Sequence, residues 1–93
     1  MAKYRKKPVV IEAVRYEGSG NMENHEVPDW IWDALESGVM FATSDGRDPM
    51  TIKTLEGNHI VSPGDFIIQG VKRELYSCKP DIFALTYEKV DQE

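Results

Sequence analysis

Apolar and polar residues alternate along most of this chain, and only one stretch takes up a helical period. Residues 7–17 (KPVVIEAVRYE) read as a first strand, with Val9, Ile11 and Ala13 facing one side and Val10, Val14 and Tyr16 the other, as a period of two requires. Pro8 stands at its start, where a missing N–H does least harm. Apolar residues on both faces predict a strand covered on both sides or one at a subunit interface. Residues 18–26 (GSGNMENHE) are polar and contain glycine, and they predict a flexible loop.

The helical signal follows, over about 28–37. Val27, Ile31, Ala34 and Leu35 form an apolar stripe at helical spacing. Pro28 suits the first helical position, Asp29 favours the positive end of the helix dipole, and Gly38 is a stop signal. Trp30 and Trp32 flank the stripe. One can pack inward, but so short a helix cannot bury both.

The remainder reads as strands and turns. Strands are predicted over 39–43, 50–55, 59–61, 66–71 and 74–79, with 86–90 an optional last one and turns at 44–49 (SDGRDP), 56–58 (EGN), 63–65 (PGD) and 72–73. In residues 50–55, Met50, Ile52 and Thr54 oppose Thr51, Lys53 and Leu55. Gly70 marks either a bulge or the end of its strand. Pro80 opens a short helical turn over 80–85. The expected fold class is α+β: a small, mainly antiparallel sheet of about six short strands, with the one helix laid on it. Residues 1–93 are expected to form one domain, with disorder at 1–6 and 91–93.

Composition supports a folded chain. The hydrophobic fraction is 41% and the charged fraction 29%, both near the globular average. No apolar run approaches membrane-spanning length, and the basic start is not followed by a signal-peptide core. Cys78 is the only cysteine, so no intrachain disulfide can staple so small a domain. A reducing, cytoplasmic setting is expected, with packing or oligomerisation supplying stability.

The net charge of −5 is unevenly placed. Lys3, Arg5, Lys6 and Lys7 make the start basic, while 17–36 carries Glu17, Glu23, Glu26, Asp29, Asp33 and Glu36 with no basic residue among them. An acidic protein repels DNA at long range, so nucleic-acid binding is disfavoured. Self-association, with a basic segment of one subunit meeting an acidic segment of another, is in keeping with this pattern.

Candidate chemistry is thin. Cys78 lacks a nearby base in sequence and reads as a small packed side chain. His25, His59 and Cys78 are isolated, without the short spacings that gather metal ligands. The window 45–56 has an acid at each end, but Arg47 and Met50 occupy places where a calcium loop needs an oxygen ligand and glycine. Asp29, Asp33 and Glu36 share a helix face, ordinarily a solvated one. Asp65 is expected to bond turn backbone groups. No catalytic residue, metal or cofactor is expected.

The basic elements point to binding. Lys72, Arg73 and Lys79 bracket Tyr76 on an expected hairpin, and Arg5 and Lys7 lie in the other cluster. Cations beside an aromatic ring suit a phosphate-bearing, base-stacking ligand; plain surface solubility is the ordinary alternative. Trp30 and Trp32 are candidate interface residues.

Two strings carry a resemblance. The start, Tyr4-Arg5-Lys6-Lys7-Pro8-Val9-Val10-Ile11-Glu12-Ala13, is one. The C-terminal stretch is the other: 63–72 (PGDFIIQGVK), Tyr76, 78–83 (CKPDIF) and Thr86-Tyr87-Glu88. Together they resemble a widespread family of small phage and prophage proteins of unassigned function. The chain departs from that pattern at Arg73, where the family usually has glycine, and at Tyr76-Ser77, where it has an aromatic residue followed by proline. The resemblance implies an accessory phage protein made inside the host cell, and it brings no catalytic residues.

Two binding hypotheses follow. In the first, a homo-oligomer captures a small anionic ligand, such as a nucleotide-type defence signal. In the second, the chain is an inhibitor or adaptor that binds a host or phage protein through the acidic stretch, with Trp30 and Trp32 as anchors.

Overall fold

Each strand presents two faces, and pairing sorts the strands of this chain into two sheets rather than the single sheet expected. The computed structural model describes residues 1–5, 7–23, 26–42 and 48–90. The expected turn at 44–49 falls mostly outside these residues, as do Lys6, His25 and the tail 91–93.

Among the described residues, seven strands and two helices follow one another as β1 (Glu12–Gly18), β2 (Asn21–Met22), α1 (Asp29–Ser37), β3 (Met40–Ala42), β4 (Met50–Thr54), β5 (Gly57–Val61), β6 (Phe66–Gln69), β7 (Leu75–Cys78) and α2 (Pro80–Thr86). One sheet has the order β2-β1-β6-β7 and the other β3-β4-β5, with every pair antiparallel. The α+β class and its antiparallel character are as expected.

Several boundaries move, each for a local reason. β1 begins at Glu12, not at residue 7, because its partner β6 ends opposite it at Gln69. Gly70 then turns the chain away, its N–H donating to the Glu74 carbonyl at 2.8 Å, so residues 7–11 have no strand to pair with. Gly70 therefore ends its strand. The expected loop at 18–26 contains β2, which pairs back on β1 and buries Met22. Two residues are too few for alternation to announce a strand. The β4–β5 turn is Leu55-Glu56, one residue earlier than expected, and Thr54 pairs with Gly57 across it. The Thr54 hydroxyl fixes this turn, donating to the Gly57 carbonyl at 2.6 Å and accepting from the Glu56 N–H at 3.1 Å. Residues 87–90 form no strand; the Tyr87 N–H instead closes α2 on the Phe83 carbonyl at 2.9 Å.

The helix α1 follows its signals. Pro28 stands one place earlier than expected, as an extended N-cap with Asp29 the first helical residue, and Gly38 ends the helix at φ 82°, a left-handed conformation that glycine adopts without strain. Ile31 and Ala34 are buried while Leu35 stays exposed.

The core lies between the two sheets and under α1. Tyr16, Ile31, Met40, Ile52, Val61 and Ile67 are its most buried members. In the β1/β6/β7 sheet, the register sets Ala13, Ile68 and Tyr76 on the opposite face. That face is covered by α2, whose Phe83 ring stacks on Phe66 with centroids 3.8 Å apart and planes 6° from parallel.

Candidate functional site

Two features of the fold create a cleft. One is α1; the other is the set of residues from the β4–β5 hairpin and the β6–β7 segment that line the same space. The open space between them, about 1210 Å³, is floored by Gln69 and Leu75 and walled by Trp30 of α1 and by the hairpin.

Trp30 is fixed in that wall. Its indole Nε1–H donates to Glu12 Oε1 at 2.9 Å, which ties α1 to the first residue of β1. Around the cleft stand the carboxylates of Asp29, Asp33, Glu56 and Glu74, against only Lys53 and Arg73. The Lys53 ammonium lies 5.8 Å from the Phe41 ring centroid, a cation–π arrangement that occupies it within its own sheet. The lining therefore carries four acids against two bases. His59 also lines it, with a buried Nδ1 that has no hydrogen-bond partner among the described residues.

The basic–aromatic hairpin is not a single cluster. Lys72 and Arg73 form the β6–β7 turn and are exposed. Glu74 holds that turn by accepting the Lys72 N–H at 2.9 Å. Arg73 reaches the cleft edge from a left-handed backbone at φ 65°. Lys79 sits at the far end of β7, where its ammonium is 3.0 Å from Asp65 Oδ2. Tyr76 borders the cleft, but its hydroxyl lies 3.2 Å from that of Tyr87 on the opposite, α2-covered side. Burial and the contact with Tyr87 push the Tyr76 phenol pKa well up, so the ring is held neutral and engaged. Arg5 and Lys7 lie on the exposed segment before β1 and line no part of the cleft.

Of the two tryptophans, Trp30 packs and Trp32 remains 55% exposed on α1, outside the cleft lining. Cys78 is half-buried, and its thiol lies 3.6 Å from the Lys79 carbonyl. Burial, then the charges of Asp65 and Asp81, push the thiol pKa up, the opposite of what activates a nucleophile. Among the described residues, no three His, Cys, Asp or Glu side chains gather as a metal site. No helix there is long and apolar enough to cross a membrane.

Sequence reasoning placed Asp29, Asp33 and Glu36 on one solvated helix face, and all three are exposed. It missed Glu56, Lys53 and the Glu12–Trp30 bond. The i, i+4 spacing signals the first pair. Nothing in the spacing signals that a hairpin some 20 residues on stands opposite them.

The chain matches no family model, no curated protein and no solved structure.

Proposed function

We propose that this protein is a non-enzymatic binding module whose cleft receives a basic polypeptide segment, in the manner of an inhibitor or adaptor. The observation that carries this reading is the ring of Asp29, Asp33, Glu56 and Glu74 around a cleft walled by Trp30. A flat indole held by a hydrogen bond is a rigid anchor, and anchors of this type contribute most of the energy at interfaces. The raised thiol pKa of Cys78 supports a non-catalytic role. The resemblance of the two terminal strings to phage and prophage proteins supports an accessory role inside a host cell, directed at a host or phage protein.

The test is titration with short Lys/Arg-containing peptides, followed by calorimetry. Binding that weakens with salt and falls about tenfold or more in Trp30→Ala is expected. A panel of basic peptides that leaves the protein silent would overturn the reading.

A second reading is capture of a small anionic, nucleotide-type ligand in a counter-defence role. Arg73, kept at the cleft edge on a left-handed backbone, favours it. Thermal-shift screening with cyclic and linear nucleotides separates the two readings, since only an anion-binding cleft gives a rise in melting temperature at large nucleotide excess.

A further inference from the structure

We propose that the segment the cleft receives is the N-terminal arm, residues 1–11, of a second copy of this chain, exchanged reciprocally in a two-fold dimer. The proposal rests on the reading of the cleft as a receptor for basic polypeptide.

The described residues before Ile11 are exposed in the single chain. They have no strand partner among the described residues, and Tyr4 and Val10 are 95% and 76% exposed. The arm carries an apolar run, Val9-Val10-Ile11, of the kind that adds itself to another surface. The chain as a whole is less compact than its length predicts, with a radius of gyration of 14.2 Å against about 12 Å.

Charge makes the match. The arm bears Lys3, Arg5, Lys6 and Lys7 with no acid, and the cleft bears the excess of carboxylates. Tyr4 stands among these cations, so an aromatic ring arrives together with positive charge at the Trp30 wall.

Length and attachment agree as well. Eleven extended residues reach about 36 Å, enough to cross a body whose middle dimension is 33 Å. The arm leaves its own chain at Glu12, the residue bonded to Trp30, so arm root and cleft wall are neighbours. A two-fold axis passing near this point gives each arm to the other copy's cleft and makes one contact twice.

The test uses two full-length charge-reversal variants. The first carries Lys3→Glu, Arg5→Glu and Lys7→Glu. The second carries Asp29→Lys, Asp33→Lys and Glu56→Lys. Light scattering after size exclusion, at about 100 µM and so above a micromolar Kd, is expected to give twice the 10.6 kDa chain mass for the wild type and the single mass for each variant. An equimolar mixture of the two variants is expected to return to the double mass, because each arm then meets a cleft of opposite sign. A monomeric wild type, or variants that dimerise alone, would overturn the exchange. So would folded variants that stay monomeric when mixed. A synthetic peptide of residues 1–11 titrated into the first variant separates this proposal from the one beneath it. Peptide binding with a monomeric wild type defeats only the exchange, while absence of both defeats the basic-segment reading too.

Discussion

Asp65 and Lys79 form an ion pair of unequal partners: the carboxylate is 5% exposed, the ammonium 62%, and Nζ lies 3.0 Å from Oδ2. The same oxygen accepts the Ser62 N–H at 2.9 Å, so Asp65 closes the 62–65 turn as well as pairing across to the end of β7. The partners should therefore respond differently to removal. Lys79→Ala gives up only a solvent-screened attraction, and a loss of about 0.5 kcal/mol or less is expected. Asp65→Ala leaves a turn N–H without its acceptor, and about 2 kcal/mol is expected. Urea denaturation of both variants checks the ratio. Equal losses would show that the turn bond contributes nothing.

The Tyr16 hydroxyl donates to Asp48, which also accepts the Ser19 N–H at 3.0 and 3.1 Å. Burial first, then the hydrogen bond to Asp48, raises the Tyr16 pKa. An acid whose pKa is higher folded than unfolded favours the fold only while it is protonated. Its contribution is thus complete below the unfolded value of about 10 and is lost as pH rises through the higher folded value. Tyr16→Phe lacks this titration. The stability gap between wild type and Tyr16→Phe is expected to be about 1 kcal/mol or more at neutral pH and to narrow above about pH 10. A gap independent of pH would contradict the assignment.

α2 has no buried residue of its own and is held through Phe83, stacked on Phe66 and tilted against Tyr87 with centroids 5.0 Å apart. Phe83→Ala removes the stack and is expected to cost about 2 kcal/mol. The freed helix should expose the covered sheet face, and Cys78 should then react faster with a thiol reagent. Unchanged alkylation kinetics would mean that other contacts hold α2.

Arg73 takes a φ of 65°, in the region where a β-carbon is strained and glycine is not. Arg73→Gly is expected to raise stability by about 0.5–1 kcal/mol while removing one of two cations at the cleft. If the nucleotide reading holds, the same variant loses ligand-induced thermal shift. If the basic-segment reading holds, it binds basic peptides more tightly.

Much of the fold was legible because its elements obey local rules. The helix from Pro28 to Gly38, the turn at Pro63-Gly64-Asp65 and the strands around Ile52 and Ile67 follow from periodicity and turn chemistry. The lost parts depended on partners. Val9 and Val10 look like strand residues, but only the turn at Gly70 decides that nothing lies beside them. The candidate site suffered most. Lys72, Arg73, Tyr76 and Lys79 are close in sequence, yet alternation turns Tyr76 toward α2 and strand length carries Lys79 to Asp65. The cleft draws instead on α1 and the β4–β5 hairpin, which no short spacing connects.

Among the described residues, no backbone hydrogen bond joins a strand of one sheet to a strand of the other. The two sheets meet through side-chain packing and not through a shared ladder. The hairpin wall of the cleft belongs to one sheet and its floor, Gln69 and Leu75, to the other, so the width of the cleft is fixed by how the core side chains seat the two sheets together.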